Sequence, residues 1–447
     1  MAAGIGLGIS MGWALAKKGF SAVIEGLFAI LEARSTFFEN ANNSKLGVQE
    51  LETAGLLDKA SIVLTPTGYS VDTIHNVKPS STPFGDMSLI QNGTTTRVDE
   101  NGFVAFNVTD IPRIDYSTGT GAILSELPSW NRVKYSEDAS QTSTWPVVSN
   151  VTISAVITAA PTGNIGTVYT LEQTGPGTFG LGQPITFAHS SGRGLGLSMW
   201  VRRRSGSGNT GELQFGKGDG LGSELNTYNI GSDWQRVTWA SLSGVAATHI
   251  EVRGEVGQVF EVWGAQAERE GSFGRPGRIT SYIPTSGTET LRTRDNYANG
   301  GDAALIGQTE GVFYFEGASF TDYYTGRALA LSDGTAANRV VIFFDYAQAK
   351  IRTLVQDGNG NQALYIQPIA DQKSFNKIAL KYKSGDIAMW LNGTELQGGT
   401  GTFAFTSPLT ELAFDQGNSS VHMDGFIKQV AVFKEALSDA ELTALTT

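Results

Sequence analysis

Ile387-Ala-Met-Trp-Leu-Asn-Gly393 is the stretch that decides the fold. Five apolar residues lead into an Asn-Gly pair, which is the strongest short-range signal for a two-residue β-hairpin turn. A second strand-like run, Ile378-Ala-Leu-Lys-Tyr-Lys383, precedes it. The two runs predict an antiparallel sheet in the last third of the chain.

Further strand patterns surround this hairpin and extend from about Gly300 to Thr447. Apolar alternation in Gly311–Gly317 is typical of a strand. The β-branched and aromatic content of Arg339–Tyr346 is typical of another. Leu437–Leu445 predicts a short terminal helix, because Ser438 and Glu441 have the spacing of a capping box. In the strand before it, we expect Phe426, Val430 and Val432 to share one face.

An earlier part of the chain has the same β character. Asn101-Gly102 predicts a hairpin turn. The strands expected beyond it are Val148–Ala159, Tyr169–Gln173, Leu197–Arg203, Gly211–Phe215, Gln235–Ala240, His249–Val252 and Gln258–Ala265. The predicted fold class is mainly β, with two antiparallel β-sandwich (jelly-roll) domains at about 87–290 and 300–447 and an N-terminal helical anchor.

The domain boundaries follow from these patterns. Residues 1–60 are predicted to form a helical assembly segment, and 61–130 a linker with short strands. One jelly roll is expected at 131–296 and a second at 297–447. Leu51–Lys59 predicts a short helix and Ser61–Pro66 a strand.

The N-terminal segment has an apolar stripe with no core of its own to cover. Gly19–Asn43 has helical periodicity, and this helix and the residues before it supply the assembly or anchor side chains Trp13, Phe20, Ile24, Leu27, Phe28 and Leu31. Burial against copies of itself or a partner protein is expected, with packing on the adjacent domain as the alternative. The apolar run before Lys17 is short for a membrane span, and its charge order differs from that of a secretory signal.

Composition limits the partners. The net charge is −11 with a single basic cluster, Arg202-Arg203-Arg204, so nucleic acid is not an expected partner. The chain has no cysteine, which excludes thiol chemistry and disulfides and favours assembly in a reducing cytoplasm.

Three groups of motifs resemble known families. Two sets of motifs resemble bacteriophage fibre and head-spike proteins, in which a carbohydrate-module-like jelly roll lies between the two sets. The first set is Thr95–Gly102, Ile111–Tyr116 and Asn131–Asp138, and the second is Val262–Glu268, Ser281–Gly287 and Thr293-Arg-Asp295. Ala122–Pro128 departs from that pattern, because such proteins continue through several leucines to Glu-Pro. Trp390–Gly393, Met423–Phe433 and Ala436–Leu442 resemble the closing strands of a laminin-G-like or concanavalin-like jelly roll.

No catalytic constellation is found. The four histidines lie in neither a His-Glu-x-x-His motif nor a Gly-x-Ser-x-Gly context, and they are His75, His189, His249 and His422. The Glu-x-Asp-x-x-Glu strand of concanavalin-like glycosidases is also absent. The carboxylates weighed as an acid/base pair are Glu251, Glu261, Glu268 and Glu270, and we interpret them as structural.

Ligand-binding candidates come from a predicted loop that combines aromatic and acidic side chains. Aromatic faces stack on pyranose rings, and Asp322, Tyr323 and Tyr324 in a predicted loop are the glycan-binding candidates. Trp200, Trp234, Trp263 and Trp390 lie in strand patterns and are interpreted as core. No cofactor is expected. Calcium is the alternative, with oxygen ligands from Asp219, Asp302, Asp322 and Asp424.

The resemblance implies a non-enzymatic virion protein assembled in the host cytoplasm. It would be a spike or fibre subunit, attached by its N-terminus and displaying lectin-like domains to a host-surface glycan or receptor. Expected partners are other copies of the chain, most simply as a trimer, and capsid, portal or tail proteins. The alternatives are a secreted polysaccharide-active enzyme or its binding module, and a purely structural capsid or tail decoration protein.

Overall fold

The structure is a computed structural model. It describes residues 46–66, 74–78, 88–91, 93–107, 110–141, 143–145, 147–175, 180–184, 193–204, 211–218, 223–241, 249–273, 278–298, 300–320, 327–345 and 349–447. The predicted N-terminal helix and its stripe lie outside these residues. Neither of the described helices is long and apolar enough to span a membrane.

The first part of the chain contributes one helix and short strands. Helix α1 is Leu46–Thr53, somewhat before the predicted Leu51–Lys59. It ends there because Gly55 has a φ of +68°, the left-handed conformation that closes helices. The strands are β1 (Ala60–Pro66), β2 (Ile74–Lys78), β3 (Ser88–Ile90), β4 (Thr95–Val98), β5 (Val104–Asn107), β6 (Ile114–Asp115), β7 (Ala122–Ser125) and β8 (Ser129–Asn131).

The middle part forms a β-sandwich, as predicted. Its strands are β9 (Val147–Ser149), β10 (Val151–Ala159), β11 (Ile165–Gln173), β12 (Gly180–Pro184), β13 (Arg193–Arg203), β14 (Glu212–Gly218), β15 (Ser223–Asn229), β16 (Gln235–Ser241), β17 (His249–Arg253) and β18 (Val259–Phe273). One sheet has the order β10-β11-β18-β13-β16 and the other β15-β14-β17-β12-β9. The predicted strand Val148–Ala159 is split between them at Asn150, whose φ is +52°.

The C-terminal part forms the second sandwich. Its elements are β19 (Thr290–Arg292), β20 (Asn296–Ala298), β21 (Glu310–Ser319), β22 (Arg327–Ser332), β23 (Arg339–Phe344), β24 (Lys350–Asp357), β25 (Gly360–Pro368), β26 (Asn376–Lys383), β27 (Ile387–Leu391), β28 (Thr394–Gly399), β29 (Glu411–Ala413), β30 (Gly425–Phe433) and helix α2 (Asp439–Thr446). The predicted Asn392-Gly393 turn joins β27 to β28, and the Ser438–Glu441 capping box starts α2. Both predictions are confirmed.

Sheet pairing assigns the early strands to the C-terminal sandwich. A nine-stranded sheet runs β2-β1-β30-β21-β26-β27-β28, and β7 pairs with β30 and with β6. Strand β1 pairs with residues 430–433 and β7 with residues 425–427, so together they cover one edge of β30. The opposing sheet is β25-β24-β23-β22-β29. Segment 61–130, predicted as a linker with short strands, therefore supplies strands to this sandwich.

The middle sandwich is inserted between these strands. Strands β8 and β19 pair with Ser129 opposite Arg292, so the chain enters and leaves the insertion at adjacent positions. One core fills the C-terminal sandwich and includes Ile62, Phe313 and Ile342. A second core fills the middle sandwich and includes Met199 and Phe215. The fold class is thus two antiparallel β-sandwiches, as the sequence predicts.

The two described helices cover the outer face of the nine-stranded sheet. Leu51 of α1 and Leu442 of α2 pack on sheet residues such as Val63 and Trp390. Lys59 and Glu441 join the two helical regions through an ion pair. This pair, with the Ser438 capping bonds, lowers the pKa of Glu441 to about 2. The helices cover one part of this face. A separate cluster of side chains lies on the same face near the start of β30.

Candidate ligand-binding surface

A β-bulge in β30 turns one phenylalanine away from the core. Against β21, Gln429 lies opposite Glu316 and Ile427 opposite Gly317, which leaves Lys428 as the extra residue. A bulge shifts the alternation of side chains by one. Val430 and Val432 join Ile427 in the core, whereas Phe426 lies on the opposite, outer face. The predicted shared face of Phe426, Val430 and Val432 is therefore wrong at Phe426.

Phe426 belongs to a half-buried cluster of three phenylalanines. Its ring meets Phe320 edge to face at 4.8 Å between centroids, and Phe375 lies 6.4 Å away on the other side. Phe320 follows β21, and Phe375 precedes β26, which lies beyond β21 from the strand of Phe426. We call this cluster the aromatic ledge. It presents ring surface on the outer face of the C-terminal sandwich, a form suited to stacking against a flat ligand.

Two cations flank the aromatic ledge. The Arg278 guanidinium lies 5.4 Å from the Phe320 ring centroid, and the Lys428 ammonium lies 4.0 Å from that of Phe375. Lys428 owes its position to the bulge and also approaches Glu316 at 3.9 Å. A cation over an aromatic face keeps polar donors beside an apolar surface. Rings and donors together can bind a ligand that has both a flat apolar face and polar groups.

The predicted glycan-binding residues adjoin this ledge in sequence. Asp322, Tyr323 and Tyr324 lie outside the described residues, in the segment that leaves Phe320 and returns at Arg327. The backbone N–H of Phe320 donates to the carbonyl of Asp424, and Arg327 donates to the Asp424 carboxylate at 3.1 Å. Both ends of the segment are thus held beside β30. The anchor residues Trp13, Phe20, Ile24, Leu27, Phe28 and Leu31 also lie outside the described residues.

The family-like motifs meet in a buried charge cluster between the two sandwiches. Arg113 of the Ile111–Tyr116 motif pairs with Glu126 at 2.8 Å and also with Asp295 of the Thr-Arg-Asp motif. Arg292 pairs with the same glutamate. The side chains of Arg113, Arg292 and Asp295 are fully buried. These motifs therefore have a structural role, because they join the inserted module to the sandwich that flanks it.

Glu126 is the centre of this cluster. It accepts hydrogen bonds from the Ser281 backbone N–H at 2.9 Å and the Ser281 hydroxyl at 2.6 Å, in addition to its arginine partners. Burial raises its pKa, but the charges of Arg292 and Arg113 outweigh burial and hold the pKa below its ordinary value. Asp424 extends the cluster toward the aromatic ledge through ion pairs with Arg278 and Arg327.

The carboxylates weighed as a catalytic pair have structural partners. Glu261 pairs with Arg202 at 2.5 Å, and Glu251 with Arg253 at 2.6 Å. Glu268 is buried and accepts bonds from Ser129, Thr280 and Gln266. The side chain of Glu270 lies outside the described residues. Each described carboxylate is thus engaged by a neighbouring cation or hydrogen-bond donor.

The candidate metal ligands and histidines are also accounted for where they are described. Asp302 closes a turn by accepting from the backbone of Ala304 and Leu305, while Asp424 is neutralised by its arginines. Asp219, Asp322 and His189 lie outside the described residues. Within the described residues, no group of three or more acidic or histidine side chains is arranged to hold a metal ion.

His422 is the histidine whose side-chain contacts the structure describes. Burial lowers its pKa, and the charge of Arg294, whose guanidinium touches the imidazole, acts in the same direction. His75 and His249 lie in strands β2 and β17. None of these positions belongs to the aromatic ledge.

The tryptophans predicted as core are largely so. Trp263 and Trp390 are buried, whereas Trp200 and Trp234 are half-buried. Trp200, Trp263 and Tyr282 pack together on the outer face of the middle sandwich, with centroids 4.7–5.6 Å apart. The most exposed of the described tryptophans is one that the sequence analysis did not single out, Trp130, at 41%. It stacks with Arg132 on the stem of the insertion.

Comparison with known proteins supports the fold of the C-terminal sandwich. Residues 319–443 match the family model described as the concanavalin A-like lectin/glucanases superfamily. This range includes the aromatic ledge and the segment containing the predicted glycan-binding residues. No curated protein matches the sequence significantly. The family match supports a lectin-like β-sandwich over these residues.

Solved structures resemble the chain more weakly. The IT-sialidase CBM40 of Ruminococcus gnavus is 18% identical, with 32% of this chain and 86% of that chain covered and a TM-score of 0.28. Domain 4 of AbnA, an arabinanase of Geobacillus stearothermophilus in complex with arabinotriose, is 14% identical, with 38% and 82% covered and a TM-score of 0.27. The receptor binding domain of botulinum neurotoxin type G is 11% identical, with 30% and 36% covered and a TM-score of 0.24. At these scores the likenesses carry no inference about a ligand.

Proposed function

We propose that this chain binds a glycan through the aromatic ledge and the adjoining segment 321–326, without hydrolysing it. The observation that carries the proposal is the ledge itself: three phenylalanines, half-buried, with a cation stacked at each end. The family match to lectin-like proteins covers the same residues. Asp322, Tyr323 and Tyr324 would add further ring and acceptor groups to this surface.

The first prediction tests the ledge directly. Phe375→Ala is expected to weaken glycan binding about tenfold, because loss of one stacking ring removes roughly 1–1.5 kcal/mol of contact energy. Phe426→Ala is expected to weaken binding at least as much, since Phe426 contacts both other rings. Affinities would be measured by calorimetry, on ligands selected from an array of bacterial surface polysaccharides and their oligosaccharides.

Phe106→Ala is the matched control, because Phe106 is a 47% exposed phenylalanine on β5, outside the ledge. It should leave affinity unchanged. Equal binding by wild type and both ledge variants would refute the proposed site. Release of new reducing ends from a bound polysaccharide, lost on changing Glu261 or Glu268, would instead favour the polysaccharide-active enzyme.

We further propose that the chain is a bacteriophage spike or fibre subunit. The support is the resemblance of its motifs to phage fibre and head-spike proteins. In this proposal the N-terminal stripe attaches the subunit to capsid, portal or tail proteins and holds copies together, most simply as a trimer. The receptor would then be a host-surface glycan, and the chain would reside in the virion after assembly in the host cytoplasm.

The second prediction concerns this anchor. Removal of residues 1–43 is expected to abolish incorporation into particles and to reduce the mass of the protein in solution. The physical reason is that burying each large apolar side chain of the stripe contributes roughly 1.5–3 kcal/mol to association. Incorporation would be measured by mass spectrometry of purified virions and mass by light scattering. A truncated chain that still joins virions would contradict the anchor and leave attachment to the β domains.

A further inference from the structure

Strand β10 lies at the edge of one sheet of the middle sandwich, as the described strands are ordered. It is nine residues long and pairs with β11 along its whole length. No described strand pairs with its other side. Its sequence, Val151-Thr-Ile-Ser-Ala-Val-Ile-Thr-Ala159, contains no charge and no proline. Soluble proteins usually protect a long edge strand with a lysine, a proline or a bulge, because free backbone groups recruit another strand.

Apolar side chains accompany this free edge. Ile157 on β10 is 69% exposed, and Ile165 on β11 is 72% exposed. Ile165 pairs with Ala159, which shares a face with Ile157, so the two isoleucines lie on the same side of the hairpin. Exposed β-branched residues beside free backbone donors and acceptors are the features expected of a strand-pairing interface.

The same end of the strand is held in place by neighbouring side chains. Arg202 donates to the Thr158 hydroxyl at 2.9 Å, and Trp234 donates to the Ala159 carbonyl at 2.9 Å. Arg202 is itself fixed by its ion pair with Glu261. The edge is therefore ordered before any partner arrives, which lowers the entropic cost of pairing.

The strand is complementary to itself. If two copies of β10 pair antiparallel about Ala155, each Thr152 lies opposite Thr158 of the second copy, and each Ile153 lies opposite Ile157. The two Ala155 residues then face each other at the centre. Threonine pairs and pairs of β-branched side chains are favourable across antiparallel strands. A twofold axis requires this kind of matching, because the same patch must serve both sides.

We propose that β10 joins two copies of this chain into one continuous intermolecular β-sheet. The occupant of the edge is a second copy, because the strand matches itself at every threonine and isoleucine position. This contact is separate from the association proposed for the N-terminal stripe. It joins middle sandwiches side by side, and it leaves the aromatic ledge on the C-terminal sandwich free.

The test is Ala155→Lys in the full chain. Two lysines would face each other at the twofold axis, and like charges directly opposite destabilise strand pairing. Light scattering is expected to show about half the wild-type mass at the same concentration. The control is Leu364→Lys, which places lysine at a 44% exposed site on β25, the edge strand of the other sandwich, and should leave the mass unchanged.

A single cysteine gives an independent test, because the chain has none of its own. Ala155→Cys is expected to form a disulfide-linked dimer on mild oxidation of the native protein, while Leu364→Cys stays unlinked. A mass unaffected by Ala155→Lys, together with no dimer from Ala155→Cys, would overturn the proposal. That result would also be obtained if the edge binds a strand of a different protein.

Discussion

Replacing Glu126 by alanine is expected to lower the free energy of unfolding by about 3–5 kcal/mol, the usual cost of removing one partner from a buried ion pair. The substitution leaves Arg113 and Arg292 buried without the carboxylate that both contact. It also removes the acceptor of two hydrogen bonds from Ser281. Chemical denaturation followed by tryptophan fluorescence would measure the loss.

The matched control is Glu289→Ala, which removes a glutamate from an ion pair with Arg132 whose two side chains are about 30% exposed. A surface pair of this kind contributes less than about 1 kcal/mol. We also expect Glu126→Ala to separate one thermal transition into two, because the cluster joins the inserted sandwich to its neighbour. If Glu126→Ala costs no more than Glu289→Ala, the cluster does not hold the two sandwiches together.

The same residue predicts a pH dependence. Because the pKa of Glu126 is lowered in the folded state, its contribution to stability is present above its ordinary value of 4.5 and declines as the pH falls further. In this acid range the unfolded chain binds a proton that the folded chain does not. Glu126→Gln should therefore show a shallower loss of stability with acid than the wild type. Parallel profiles would contradict this assignment.

Local patterns in the sequence predict most of the β structure. Asn392, Gly393 and Gly102 adopt a left-handed backbone, which asparagine and glycine tolerate, so the turns at Asn392-Gly393 and Asn101-Gly102 can be predicted without tertiary information. The Ser438–Glu441 capping box depends on residues three apart and is equally local. Such signals determine elements, but they carry no information about which distant strand an element pairs with.

The candidate site depends on the features that local patterns miss. Phe426 reaches the aromatic ledge only because β30 contains a bulge at Lys428, and the bulge is set by pairing with β21, more than a hundred residues away in sequence. Alternation alone places Phe426 in the core with Val430. The family-like motifs are visible in the sequence, but their role is not, because Arg113 and Asp295 meet only after the intervening module has folded.

The division of the chain between the sandwiches determines whether the C-terminal part can fold by itself. A fragment of residues 297–447, predicted from the sequence to be a complete sandwich, is expected not to fold. It lacks β1 and β7, which together cover one edge of β30. Ile62, Leu64 and Ile123 would be missing from the main core and Val63 from the layer beneath the helices. Four buried side chains contribute roughly 6–12 kcal/mol, comparable to the total stability of a domain at about 5–15 kcal/mol.

The matched control restores these strands without the inserted sandwich. Residues 46–127, joined by a short flexible linker to residues 293–447, retain β1 and β7, and the pairing of Ser129 with Arg292 shows that the joined ends lie close together. We expect this joined chain to unfold cooperatively when followed by circular dichroism. The 297–447 fragment should instead give an NMR spectrum without dispersed amide signals. A cooperatively folded 297–447 fragment would mean that β30 needs no partner on that edge. The early strands would then be an addition to a complete sandwich, and the boundary at residue 297 would stand.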